Sequence, residues 1–146
     1  MALKCVNIAG FPDQQLLNQI LSLHETIFKD SDTFKSTAKA KPKLLFTVGF
    51  KKGEVVGYKI GYEINSDIFY SWLGGVDENH RNQGIATKLM KEQHLYIKDK
   101  GYKLVQTKTK NKWRNMLIMN IKYGFNVVGI DTDKPDDPKI ILEKAL

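Results

Sequence analysis

Across residues 44–76, apolar and polar residues alternate in three consecutive runs, and this pattern constrains the fold more than any other feature of the chain. The runs carry Leu44, Phe46, Val48 and Phe50; then Val56, Tyr58, Ile60, Tyr62 and Ile64; then Ile68, Tyr70, Trp72, Gly74 and Val76. Side chains two apart share one face of a strand, so each run reads as a strand with an apolar face. Lys51-Lys52-Gly53-Glu54 and Asn65-Ser66-Asp67 supply short turns between them, so the strands follow one another as antiparallel hairpins.

The flanking segments add helices. Residues 2–8 read as a first strand and 10–12 as a break, after which Asp13 caps a helix striped by Leu16, Leu17, Ile20, Leu21, His24, Ile27 and Phe28. Residues 29–43 are polar and lysine-rich, a loop with a short second helix. A helix over 83–100 places Ile85, Ala86, Leu89, Met90, Tyr96 and Ile97 on one face and ends at Gly101. A fifth strand over 103–109, a helix over 113–123 stopped by Gly124, and strands over 125–131 and 139–143 complete the order. This predicts one mixed α/β domain over 1–146 around a central sheet.

Composition narrows the function. The longest apolar runs fall far short of the ~20 residues of a membrane-spanning helix, and the first ten residues lack the features of a secretory leader, so a cytoplasmic location is expected. With Cys5 alone there is no intramolecular disulfide and no cysteine metal cluster, and His24, His80 and His94 are too dispersed for a local ligand pair. No metal is expected. The net charge of +7 points to an anionic partner. Of the 23 basic residues only Arg81 and Arg114 are arginines, the type that reads bases and phosphates bidentately. Lys98, Lys100, Lys103, Lys108, Lys110, Lys112 and Arg114 form a basic stretch offset only by Asp99, which also reads as a solvated surface.

The chemistry concentrates where the third hairpin strand meets the next helix. There Gly74-Gly75-Val76 is followed by Arg81-Asn82-Gln83-Gly84-Ile85-Ala86-Thr87. Gly84 lets a ligand approach the backbone, the free N–H groups of the first helical turn face an anion, and Arg81 adds a positive charge at the mouth. Taken alone, the spacing reads first as a tight turn at Gly84 and a surface residue at Arg81. The spacing is neither a dinucleotide fingerprint nor a Walker loop.

The run Gly75-Val76-x4-Arg81-x-x-Gly84-x-Ala86, together with Tyr123-Gly124-Phe125 at the end of the later helix, resembles the GNAT superfamily of N-acetyltransferases over nearly the whole chain. The resemblance implies a mostly antiparallel sheet of six to seven strands flanked by three to four helices. It implies acetyl-CoA as cosubstrate, with its pyrophosphate on the backbone amides of Arg81, Asn82, Gln83, Gly84, Ile85, Ala86 and Thr87. The strand before the loop would part from its neighbour, so that Leu73, Gly74, Gly75 and Val76 pair with the pantetheine arm and polarise the thioester carbonyl. The family's cofactor-contacting Asn falls on Trp113, which leaves Asn111, Asn115 or neither for that role.

The departures concern catalysis. Where many members carry a Tyr that protonates the leaving thiolate, this chain has Asn120, an amide that cannot supply a proton. Tyr123 is the candidate substitute. Where one branch carries a glutamate base, this chain has Tyr70; Glu63, Asp77, Glu78 and Glu25 are alternatives acting through water. The expectation is transfer of an acetyl group to a primary amine by direct attack in a ternary complex. The alternatives are a non-catalytic acyl-CoA-binding module and a basic nucleic-acid-binding domain, the weakest for want of arginine clusters. The acceptor, a small molecule or a protein, is not legible, although Glu25, Asp30, Asp32, Asp131, Asp133, Asp136 and Asp137 favour a cationic amine. His24 reads as a semi-buried core histidine and His80 as a flank of the loop. Tyr58, Tyr62, Phe69, Tyr70 and Trp72 read as core or as an acceptor pocket. Edge strands make a homodimer an expectation.

Overall fold

The computed structural model describes residues 2–29 and 31–146. In chain order the elements are β1 (Lys4–Ala9), α1 (Gln14–Phe28), α2 (Phe34–Lys39), β2 (Leu45–Lys51), β3 (Glu54–Glu63), β4 (Ile68–Val76), α3 (Ile85–Asp99), β5 (Leu104–Thr109), α4 (Arg114–Lys122), β6 (Asn126–Asp131) and β7 (Lys139–Ala145). The strands form one sheet in the order β1-β2-β3-β4-β5-β7-β6. Every neighbouring pair is antiparallel except β4–β5. The expected fold class is thus realised, with seven strands and four helices.

Local chemistry explains the boundaries. The Asp13 carboxylate accepts the Leu16 N–H at 2.8 Å and starts α1. At the β2–β3 turn Lys52 and Gly53 both have positive φ, 52° and 77°, the requirement of a two-residue type I′ hairpin. Asn65 Oδ1 accepts the N–H groups of Asp67 and Ile68, both at 2.9 Å, and holds the β3–β4 turn.

Helices cover both faces. Leu17, Ile20 and Leu23 of α1 and Phe34 and Ala38 of α2 pack on Phe46, Val48, Tyr58 and Ile60. On the other face α3 presents Ile85 and Leu89 to Val56, and Met90 and Ile97 to Leu45, Phe69, Val105, Phe125 and Leu142. Burial of such side chains contributes roughly 1.5–3 kcal/mol each. The stripe expected for α1 shifts slightly: Leu23 is buried and Phe28 is 39% exposed.

The uniform alternation expected of β3 and β4 fails at two bulges. Gly49 pairs with Gly57 and Phe50 with Val55, which leaves Val56 unpaired and turns it to the α3 face, opposite Tyr58 and Ile60. Gly61 pairs with Ser71 and Ile60 with Leu73, which leaves Trp72 unpaired. Beyond Trp72 the parity of β4 is reversed, so Leu73 packs on the α1 side and Val76 on the α3 side. An inserted residue bends and twists its strand, and this second bend falls where β4 leaves β5.

Candidate active site

β4 and β5 run side by side only briefly: Ile68, Phe69, Tyr70 and Ser71 pair with Leu104, Val105, Gln106 and Thr107. There the pairing stops. The Thr107 hydroxyl donates to the Ser71 carbonyl at 2.9 Å, a side-chain rung at the point of parting. From Leu73 onward β4 stays bonded to β3 but leaves its other edge open, and β5 continues along β7. An open backbone edge inside a sheet invites an extended ligand to pair with it.

Leu73, Gly74, Gly75 and Val76 form this open stretch. A Cβ on Gly75 would stand 2.7 Å from Ile27 Cδ1 and 3.2 Å from the Tyr58 ring and hydroxyl, so α1 and Tyr58 themselves account for that glycine. Tyr58 in turn holds His24, its hydroxyl 2.5 Å from Nδ1 in the core. His24 is thus a satisfied buried histidine.

The strand then enters a turn held by Asp77, whose N–H donates to the Val56 carbonyl and whose carboxylate lies 2.7 Å from His80 Nδ1. Arg81 folds back, its Nε donating to the Val76 carbonyl at 3.3 Å. Asn82 and Gly84 both adopt left-handed backbone, at φ 62° and 79°. Gly84 is the N-cap of α3; no side chain caps that helix, and no acidic residue stands in its first turn. The N–H groups of Ile85, Ala86 and Thr87 therefore lack intrahelical acceptors at the positive end of the helix. Alternating left-handed residues before a helix start make a concave anion cradle. Asn82, Gln83 and Gly84 are exposed. Lys51, the last residue of β2, donates to Gln83 Oε1 at 2.5 Å and brings a second cation to this loop. Sequence reading missed Lys51 because the hairpin alone does not reveal which loop it faces.

Beside the parting strands, the α3 face holds an unusual set of polar groups. Gln93, His94, Thr109 and Asn120 are buried, and both amide atoms of Gln93, Nε2 of His94 and Oγ1 of Thr109 have no hydrogen-bond partner. Lys59 pairs across from Gly74, which brings its side chain within contact of any Cβ added there. Burial lowers the Lys59 amine to about 8. His94 is lowered to about 3, by burial first and then by Lys59 and Lys144. Sequence reading assigned none of Lys59, Gln93 and Thr109 a role, and took Tyr96 rather than Gln93 and His94 as buried on α3. Helical periodicity marks apolar faces, and these inward residues are polar.

The other residues singled out are dispersed. Tyr123 is half-buried at the C-cap of α4, its ring 5.7 Å from both Lys91 Nζ and Lys122 Nζ, whereas Asn120 is the buried residue of that helix. Asn111, Asn115 and Trp113 are exposed. Burial, Tyr62 and Asp131 push the Tyr70 hydroxyl far above its ordinary range. Glu25 accepts the Ser31 hydroxyl and N–H, which holds its carboxyl below the usual range. Glu63 accepts the Tyr102 hydroxyl at 2.8 Å. Glu78, Asp32, Asp133 and Asp136 are exposed, and Asp30 lies outside the described residues. The basic stretch is partly neutralised by the acidic β6–β7 turn: Lys108 pairs with Asp131 at 2.8 Å and Lys110 with Asp137. This weakens the nucleic-acid reading. Among the described residues no cluster of His, Cys, Asp or Glu could hold a metal ion, and no helix is long and apolar enough to cross a membrane. A groove of about 870 Å³ is bordered by Phe11, Lys41, Lys43, Glu63, Tyr96 and Lys100.

A family model described as an acetyltransferase (GNAT) domain matches residues 42–127. The match covers more than half of the chain, which therefore belongs to the GNAT acetyltransferase family. Solved structures agree in fold. A GNAT family acetyltransferase from Elizabethkingia anophelis, with acetyl-CoA bound, superposes with a TM-score of 0.77 at 21% identity, covering 99% of this chain and 98% of that one. An IAA acetyltransferase from Bacillus cereus gives 0.80 at 20% identity, covering 98% and 100%. An aminoglycoside 6'-N-acetyltransferase complexed with coenzyme A gives 0.78 at 13% identity, covering 96% of each. No curated protein matches the chain.

Proposed function

We propose that the chain transfers the acetyl group of acetyl-CoA to a primary amine, by direct attack in a ternary complex. The observation that carries this reading is the uncapped start of α3, preceded by two left-handed residues, at the end of a strand that has parted from its neighbour. The N–H groups of residues 82–87 hold the pyrophosphate, with Arg81 and Lys51 adding positive charge at the rim. The open edge of Leu73, Gly74, Gly75 and Val76 pairs with the pantetheine arm and aims an N–H at the thioester carbonyl. Asn111, in the turn after β5, borders the cofactor. Tyr123 protonates the departing thiolate.

Calorimetric titration with acetyl-CoA and CoA tests the site, beside a folded Arg81→Ala, Gly84→Trp double variant. Binding by the parent and loss in the variant are expected; no binding by the parent overturns the reading. An amine panel then tests transfer. Tyr123→Phe should lower kcat by about 10²-fold, the ordinary contribution of a general acid, while leaving acetyl-CoA affinity unchanged. One observation favours a second reading, an acyl-CoA-binding module without turnover: Asn120 is the buried residue of α4, while the Tyr123 ring lies against Lys91 and Lys122. Tight acetyl-CoA binding with no acetylation across the panel would select it.

A further inference from the structure

On the α1/α2 face, where β4 leaves β5, three aromatic rings stand together. Tyr62 and Tyr70 have centroids 5.3 Å apart, inclined at 54°, and Tyr62 and Trp72 are 5.7 Å apart at 74°. Phe34 of α2 backs the indole, stacked at 5.7 Å. Tyr70 belongs to the next-to-last β4–β5 pair and Trp72 is the bulged residue just beyond the last, so the rings flank the mouth of the cleft. Over them lies a cation from the same chain. Lys41, on the segment between α2 and β2, puts Nζ 4.8 Å from the Tyr62 centroid and 5.7 Å from that of Trp72. No carboxylate pairs with it among the described residues.

We propose that Tyr62, Tyr70 and Trp72 form a binding box for an alkylammonium group of the acceptor, and that Lys41 fills this box in the free protein. Aromatic faces attract ammonium ions, most strongly where the ion is partly desolvated, and a half-buried lysine over two rings is such an ion. The inference rests on the acetyltransfer reading and names its substrate class. Transfer needs a neutral amine: the C–N bond forms as the C–S bond breaks, the electron pair leaves on sulfur, and one proton passes from nitrogen to sulfur. A nitrogen held as an ammonium is not a nucleophile, so the boxed cation is a second, non-reacting group. The acceptor class is an alkyl diamine, one nitrogen in the box and the other free to lose its proton and attack.

The test begins without turnover. Trp72 and Trp113 are the only tryptophans, so a Trp113→Phe background leaves Trp72 as the sole indole reporter. In that background, Lys41→Gln empties the box, and choline should quench Trp72 fluorescence saturably, about tenfold more tightly than with Lys41 present. Uncharged dimethylbutanol of the same shape should not. No choline quenching in the Lys41→Gln variant, or equal quenching by the alcohol, overturns the proposal whatever the enzyme assay gives. In the kinetic arm, putrescine should show a KM about tenfold below that of butylamine, and Lys41→Gln should lower it further. Equal KM values for the two amines also overturn the diamine assignment. An absence of acetyl transfer to any amine, with the fluorescence result intact, would instead count against the acetyltransfer reading.

Discussion

Replacing Lys59 by methionine should make this protein more stable. The amine is lowered from 10.5 to about 8 by burial alone, with no partner charge among the causes. A difference of that size between folded and unfolded states corresponds to roughly 3 kcal/mol. The sign follows from proton counts. Below pH 8 the amine is protonated in both states, and the folded state bears the full cost of holding an ammonium away from water. Between pH 8 and 10.5 the folded amine is neutral while the unfolded one is charged, so wild-type stability rises with pH. Above 10.5 the cost is gone. Methionine keeps the length and the apolar stem without the charge. Urea unfolding at pH 7 should therefore give Lys59→Met an advantage of about 2–3 kcal/mol, and the advantage should vanish near pH 10.5. A variant less stable than wild type at pH 7, or an equal gap at both pH values, would refute the reasoning.

Other expectations use the same molecule. His94, buried and lowered to about 3, binds its proton only after unfolding between pH 6.5 and 3, so wild-type stability should fall across that window by about 5 kcal/mol; His94→Leu should flatten that acid limb in denaturant titrations. Gly61→Ala should destabilise by about 3 kcal/mol, because the added Cβ would stand 2.3 Å from the Phe69 ring and 2.5 Å from the Tyr70 carbonyl oxygen; a melting temperature unchanged from wild type would contradict the bulge described for β4. Gly84→Val meets open space but needs φ near 79°, so it should cost about 1–3 kcal/mol of backbone strain and weaken acetyl-CoA binding by calorimetry.

Much of this architecture is legible in the residues. The hairpin strands follow from alternation and turn chemistry, and the anion cradle from a glycine placed between a strand and an amphipathic helix. The bulges are not legible, since Val55 and Val56 are both β-branched apolar residues and either suits an inward face; only the register against β2 decides. The polar set beside the cleft escapes for a related reason. Lys59, Gln93 and Thr109 look like surface residues, and only the tertiary packing buries Gln93 and Thr109 and half-buries Lys59. Lys108 and Lys110 resemble free cations until β7 returns beside β5 and brings Asp131 and Asp137 alongside.

The short parallel seam between β4 and β5 has a mechanical meaning. It is the one line along which the sheet's first four strands meet its last three, and four residue pairs and the Thr107 hydroxyl span it. Each leaf closes its own backbone ladder, and Met90 and Ile97 of α3, packed on Leu45 and Phe69 of one leaf and on Val105 and Leu142 of the other, bind the two like the spine of a book. The width of the cleft is then set by the spine, and a ligand strand laid between the leaves would act as the page that holds them at one angle.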